Sequence, residues 1–386
     1  MKTAGIIAEF NPFHNGHKYL IREVKYSLAD AVIVVMSGSF VQRGGIAVTD
    51  KWTRARTALC CGADLVIELP VVYSMNTAQK FACGAVSILD ATGAVDMLAF
   101  GSESGDTRNL AEAARIIADE PPEVSEKIKK YSGTGMTYPA ARKRAFEEVC
   151  GVYIPDLPND ILAVEYLRAV YEIGSDMEAQ AVQRLGAAHD SEKISGGIAS
   201  ASEIRRRVSS GIGIEDLVPD AGFEVYDASR LDAAVIGKLR SGSAEDISAI
   251  NDIGEGLENR FIKAARECDT VDELCMLVKA KRYTLSRIRR IAWSCLLGLT
   301  GDLSSELPGY IRVLGMNGTG REILRRMKKT AAAPVIIKAA DYEGMGTDRI
   351  FTANNRAEDW FALCAPKHEL RRGGRDITTP PVIIDE

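Results

Sequence analysis

The sequence predicts an α/β protein, a parallel sheet with helices on both faces followed by a mostly helical C-terminal part. Two observations carry this. Over the first hundred residues, short apolar runs alternate with helical segments, the pattern of a parallel sheet covered on both sides. After about Pro219 the alternation gives way to helical patterning that continues to residues 334–338. At 386 residues, 46% hydrophobic and 26% charged, the chain has ordinary globular composition and room for two domains.

The first strand is the apolar run 3–10, and a helix pattern follows over about 15–27. A second run, 31–36, closes at Ser37-Gly38. Residues 51–60 look helical, 64–69 form a third strand stopped by Pro70, and 77–89 a further helix. The fourth strand, 95–100, ends in Gly101-Ser102-Glu103-Ser104-Gly105. Ligands of such sheets bind at the carboxyl ends of the strands, so a site is expected among the loops 11–16, 37–45 and 101–105. Residues 106–178 read mostly helical, broken by Gly- and Pro-rich segments at 132–139 and 154–159, and 179–185 looks like one more strand. Residues 200–208 form a short basic helix with good N-cap residues in Ser200 and Ser202. A domain boundary is expected near 211–220, separating an α/β unit (1–215) from a helical, basic unit (216–386).

No apolar stretch approaches the ~20 residues of a membrane span. The N-terminus runs straight into a strand pattern, so a cytoplasmic protein without membrane attachment is expected. The eight cysteines contain no C-x-x-C, which predicts free thiols rather than a zinc site or disulfide framework, with Cys60 and Cys61 in the core. The net charge of −5 hides an asymmetry. Between Lys279 and Lys329 twelve Lys or Arg stand against Asp302, Glu306 and Glu322, a local balance of +9 that leaves −14 for the remainder. Such a patch suits a polyanion, and its bland counterpart is a set of solvated helix faces.

The chain has four histidines, and two stand three apart in Asn11-Pro12-Phe13-His14-Asn15-Gly16-His17. This turn joins the first strand to the first helix. A helix N-terminus there offers unpaired N–H groups and a positive dipole end, both suited to phosphate. Gly16 lets backbone approach a ligand closely. Residues three apart share a helix face, so His14 and His17 can converge on one phosphoryl group and stabilise charge on an α-phosphate under in-line attack. They are the expected catalytic residues.

His14-Asn15-Gly16-His17 is similar to the signature of the HIGH-type nucleotidyltransferases, the superfamily of class I aminoacyl-tRNA synthetases, pantothenate synthetase and the cofactor adenylyltransferases. That resemblance implies a Rossmann-like domain and attack on the α-phosphate of ATP. The superfamily's second, serine-rich signature is resembled by Ile194-Ser195-Gly196-Gly197-Ile198-Ala199-Ser200-Ala201-Ser202-Glu203-Ile204-Arg205, where hydroxyls and helix N–H groups would hold the β- and γ-phosphates and Arg205 would neutralise them. More narrowly, the stretch from Gly5 to His17 looks like the opening of the bacterial tRNA(Met) cytidine acetate ligase family. Ser37-Gly38-Ser39-Phe40-Val41-Gln42-Arg43-Gly44, Phe100-Gly101-Ser102-Glu103, the segment Leu157-Pro158-Asn159-Asp160 with the residues after it, and Gln183-Arg184-Leu185-Gly186-Ala187 resemble further family segments. Phe10 stands where that family commonly has Tyr, and Ser200 and Glu203 follow its serine-rich pattern loosely.

The family resemblance implies that ATP and acetate form acetyl-adenylate and pyrophosphate, and that the acetyl group passes to N4 of the wobble cytidine of elongator tRNA(Met). Carried over residue by residue, the ATP site would be Ile7-Ala8-Glu9-Phe10-Asn11-Pro12-Phe13-His14-Asn15-Gly16-His17-Lys18-Tyr19-Leu20. Gly101 would close on the adenosine, and Asn159 with Arg184 and Leu185 would touch adenine, ribose or phosphate. Ser200, Ser202 and Arg205 would meet the pyrophosphate. Magnesium is expected on the phosphates, with no protein metal site. Two other readings stay open: a small-molecule adenylyltransferase or pantothenate-type ligase, and a tRNA-binding protein without catalysis on the same fold.

Overall fold

A computed structural model describes residues 1–185, 197–254, 256–342, 344 and 346–385. Its sheet has the order β5-β4-β1-β2-β3-β6-β7, with β8 also on β6. The strands are β1 Thr3–Ala8, β2 Ala31–Ser37, β3 Leu65–Leu69, β4 Met97–Ser102, β5 Glu178–Gln183, β6 Ile311–Met316, β7 Val335–Ile336 and β8 Val382–Ile383. All pairings are parallel except β3 with β6.

The described helices of eight or more residues are, in order, α1 Asn15–Ser27, α2 Lys51–Cys60, α3 Ala78–Ala91, α4 Thr107–Asp119, α5 Pro122–Gly133, α6 Tyr138–Cys150, α7 Pro158–Ile173 and α8 Ala201–Ser209. The C-terminal part adds α9 Asp232–Ser241, α10 Leu257–Ala265, α11 Val271–Val278, α12 Leu285–Leu297, α13 Gly318–Thr330 and α14 Arg349–Ala362. No described helix is long and apolar enough to cross a membrane.

Strand alternation divides the core into two layers. Val32, Val34 and Met36 of β2 pack with Ile21 and Val24 of α1 on one face. Ile33 and Val35 point the other way, into a larger layer with Phe81, Leu89 and Tyr166 that continues through Phe261, Leu274 and Trp293 of the C-terminal helices. Full burial on both sides explains why these strands read as unbroken apolar runs.

The amino ends of the strands are closed by aspartates. Asp30 accepts the Lys2 N–H, Asp64 the Val32 N–H and Asp96 the Thr3 N–H, each within 2.8 Å. Asp64 is buried and also holds the Lys25 ammonium and the Asn317 amide. A carboxylate just before one strand thus satisfies a backbone donor on its neighbour, so little at this end is left unpaired.

The structure corrects the sequence reading in three places. Residues 311–316, expected within a helical stretch, form β6. A six-residue apolar run has no decisive period, and pairing with β3 makes it a strand. The first strand ends at Ala8, two residues early, because Phe10 takes a left-handed backbone with φ 49°. Cys60 is exposed at the end of α2, although all eight cysteines are free thiols. Strands from beyond residue 216 are hydrogen-bonded into the same sheet as those before it.

Candidate active site

The sheet order reverses at β1, whose neighbours are β4 and β2, and ligands of parallel sheets bind at such a switch point. A cleft of about 380 Å³ opens there, with Ile7, Phe81, Phe100 and Tyr166 contributing its apolar surface. Its polar groups come from the turn after β1, the loop after β2, the start of α7, the end of β5 and the start of α8.

His14 is the N-cap of α1. Its Nδ1 accepts the Gly16 N–H at 3.1 Å, while the His17 Nδ1 accepts the His14 N–H at 3.2 Å, a reciprocal capping box built from two histidines. A ring nitrogen that accepts a backbone N–H carries no proton. In the neutral rings the proton therefore sits on Nε2 of both residues. The rings stack with centroids 3.6 Å apart. Burial, then the neighbouring His14 and Arg184, hold the His17 pKa well below the ordinary histidine value, which favours the neutral ring. A Cβ on Gly16 would lie 3.0 Å from the His14 ring, so glycine leaves the ring room to fold over its own helix start. Phe10 meets Phe13 and His17 edge-on at 4.7 and 4.8 Å. A bulky residue at positive φ is strained, and here that backbone delivers the ring that backs His17.

Across the cleft, Arg184 lies over Gly101, and its Nη1 faces the Asn159 Oδ1 at 3.5 Å. Burial lowers the Arg184 pKa and the Glu103 carboxylate opposes that shift. Ser200 is the N-cap of α8 and accepts the Glu203 N–H, with the Ser202 hydroxyl 3.2 Å from its own. Arg205 is half-buried rather than on the surface and donates to the Asn11 carbonyl at 2.7 Å. Glu203 is engaged elsewhere, with Arg206 and Arg207.

Beneath the turn, Arg54 is buried and donates to the carbonyls of Glu9, Ser37, Gly38 and Thr49, tying the ends of β1 and β2 together. Glu9 accepts the Gln42 N–H at 2.6 Å; burial raises its pKa against that bond and against Arg205, Arg43 and Arg54. The loop after β2 also rests on a buried ion cluster. Lys51 bridges Glu68 (2.7 Å) and Asp376 (2.5 Å), with Glu358 at 3.7 Å, and Glu358 receives the Ser39 hydroxyl. Burial pushes Glu358 up to about 7, while the three acids outweigh burial and hold Lys51 above its ordinary value.

Of the residues expected at the ATP site, Ile7, Ala8, Glu9, Phe10, Asn11, His14, His17, Leu20, Gly101, Asn159, Arg184, Ser200 and Arg205 line this cleft. Gly16, Tyr19 and Leu185 line a small hollow beside it. Pro12, Phe13, Asn15, Lys18 and Ser202 line neither. Phe13 is in the core, and the Asn15 side chain donates to the Gly197 and Asp216 carbonyls, fastening α1 to the segment around α8. Residues 194–196 of the serine-rich segment, with Gly186 and Ala187, lie outside the described residues. Gln42, Arg43, Ile161, Leu162 and Tyr166 line the cleft without having been singled out as site residues. The position of Gln42 and Arg43 after a strand's carboxyl end was the available signal. The α7 positions carried none beyond helical spacing.

Of the twelve cations of residues 279–329, six lie in or just before α12 and five on α13, while Arg312 is buried in β6. Near the start of α12, Arg289 and Arg290 pack against Gly44 of the loop whose Gln42 and Arg43 line the cleft. Arg325, Lys328 and Lys329 are exposed on α13, which runs along the opposite, amino end of the sheet beside Asp64, Thr92 and Asp96. Arg287 and Arg290 pair with Asp252, Arg289 with Asp272, Arg312 with Asp376, Arg321 with Asp385 and Arg326 with Asp96, so part of the positive balance is neutralised locally. No group of three or more potential metal ligands is found among the described residues.

The model of the HIGH Nucleotidyl Transferase family matches residues 1–376. The tRNA(Met) cytidine acetate ligase of Thermoanaerobacter sp. is 40% identical, with 98% of this chain and 99% of that one aligned, and that of Acetivibrio thermocellus is 36% identical over all of both. Thermotoga maritima TmcAL, in crystals bound with α-thio ATP and in its apo form, matches the whole fold with TM-scores of 0.90 and 0.93 at 32% identity. With its paired histidines at the mouth of β1 and full-length likeness to these proteins, the chain belongs to the tRNA(Met) cytidine acetate ligase family of HIGH nucleotidyl transferases.

Proposed function

We propose that the protein joins acetate to ATP, forming acetyl-adenylate and releasing pyrophosphate, and then transfers the acetyl group to N4 of the wobble cytidine of elongator tRNA(Met). The observation that carries this is the histidine pair. Both Nδ1 atoms accept backbone N–H groups, which puts the proton of each neutral ring on Nε2, and both rings line the cleft at a helix N-terminus with Arg184 and Arg205. An acetate oxygen attacks the α-phosphorus and pyrophosphate leaves. Charge growing on the α-phosphate meets preorganised neutral donors, while Arg205 and the α8 N-terminus suit the departing pyrophosphate. In the second step N4 bonds to the acetyl carbon, the bond to AMP breaks, and N4 loses a proton. Adenylation supplies the leaving group, so no covalent enzyme nucleophile is needed. Among the described cleft-lining residues Glu9 is the only carboxylate, and it already binds the Gln42 N–H, so magnesium would arrive on the phosphates as part of the substrate.

Residues 1–215 would then carry the activation chemistry and 216–386 the tRNA. The cations beside Gly44 would meet an RNA whose base enters the cleft, whereas those of α13 lie along the other end of the sheet. Incubation with labelled acetate, ATP and total tRNA, followed by nucleoside analysis, tests the proposal. Label in N4-acetylcytidine is the expected outcome. Adenylate formed without any labelled nucleoside would return the protein to the small-molecule adenylyltransferases.

A further inference from the structure

Helix α7 begins at Pro158 with Leu157 at its N-cap, a residue that cannot cap it. The cap comes from the loop after β4. Glu103 accepts the Asn159 N–H at 3.3 Å, the Asn159 side-chain Nδ2 at 2.6 Å and the Asp160 N–H at 2.9 Å. The helix answers with Asp160, which is buried and accepts the Ser102 hydroxyl at 2.5 Å, the Glu103 N–H at 3.0 Å and the Ser104 N–H at 3.2 Å. Each carboxylate caps the element that carries the other. Glu103 does not line the cleft, whereas Asn159, Gly101 and Arg184 do.

An asparagine side chain has one donor end and one acceptor end. Glu103 engages the donor end and turns it away from the cleft, so the Oδ1 faces Arg184, whose Nη1 donates to it at 3.5 Å, and its second lone pair can accept from a ligand. The geometry points to Glu103 and Asp160 as positioning residues that fix Asn159 as a hydrogen-bond acceptor toward the nucleotide, where it receives a donor group of ATP, a ribose hydroxyl or the 6-amino group of adenine. A carboxylate is required because both Glu103 oxygens accept N–H groups. Glutamine there sets an NH2 against one of them, either straining the α7 cap or flipping the Asn159 amide.

This rests on the cleft being the ATP site, and direct ATP binding by the unaltered protein tests that separately. Calorimetric titrations of the full chain with ATP, 2′-deoxy-ATP, 3′-deoxy-ATP and ITP identify the donor. The unaltered protein is expected to bind one analogue at least fivefold more weakly than ATP. Glu103→Gln should bind ATP about tenfold more weakly without discriminating further against that analogue. In acetate-dependent pyrophosphate exchange its KM for ATP should rise while kcat stays within about threefold. Asn159→Ala, which leaves the backbone bonds of the clasp in place, should reproduce the same loss of discrimination if Glu103→Gln does not fold. Equal binding of all three analogues by the unaltered protein, unchanged discrimination in both variants, or a fall in kcat as large as the rise in KM overturns the inference. Absence of ATP binding by the unaltered protein instead overturns the reading of the cleft.

Discussion

The two ends of the one parallel sheet are built on opposite terms. At the amino end Asp30, Asp64 and Asp96 take up the backbone donors of neighbouring strands, and α13 lies along that edge. At the carboxyl end the polar residues are held just as firmly, yet they line a cleft, as His14, His17, Arg184 and Arg205 do. Polar groups packed between strands hold a fold together; polar groups fixed around a cleft can also meet a ligand. The lesson is that polar density does not mark a site, whereas polar groups held in place around a cavity do.

The sharpest way to break this contrast is to remove one group from each end. His17→Ala should slow acetate-dependent pyrophosphate exchange about a hundredfold, roughly 3 kcal/mol of transition-state stabilisation, while the lost capping bond lowers stability by only about 1 kcal/mol. Asp64→Ala should do the reverse, costing about 3 kcal/mol of stability by stranding buried partners, with kcat unaltered in the folded fraction. Urea titration and exchange kinetics on both variants decide it. Comparable losses in both assays for both variants would erase the distinction.

A second comparison sets the two basic groups against each other. Reversing Lys281, Arg282 and Arg289 should weaken tRNA binding at least tenfold and flatten its dependence on salt, because fewer counterions are released. Reversing Arg325, Lys328 and Lys329 should leave affinity within about twofold, and neither set should alter pyrophosphate exchange without RNA. Filter binding over a salt series measures this, and an equal effect of the α13 set would extend the RNA surface around the molecule.

The smallest effect is on pH. His17 is neutral in the fold, while in the unfolded chain it takes up a proton below about 6.5. The unfolded state then binds more protons, so this contribution is intact above pH 6.5 and lost as pH falls toward the depressed folded value. His17→Asn should flatten the acid side of the stability profile, as read from urea midpoints between pH 5 and 8.

Much of this was legible in the sequence because strands buried on both faces announce themselves as apolar runs, and because two histidines three apart at a strand end have few structural uses. The loops at the carboxyl ends of β1 and β4 were located for the same reason. What stayed hidden depended on contacts distant in sequence. Strand β6 exists because Ile311–Met316 finds β3 some 240 residues away. Arg54 reads as a surface cation on an amphipathic helix until the four carbonyls around it are seen. The cleft-lining residues of α7 share a helical spacing with residues that merely pack.

The histidine capping box has a consequence for how the motif can change. In the proposed reaction the atoms that start the first helix and the atoms that meet the phosphate belong to the same two rings, Nδ1 serving the backbone and Nε2 the ligand. Asparagine reproduces the position of Nδ1 but has nothing at Nε2, so it would keep the helix start and silence the chemistry. Alanine would lose both. A descendant of this chain that abandoned catalysis could therefore drift to Asn-x-x-Asn without unravelling, and such a sequence would carry the outline of an enzyme whose reactive half had gone.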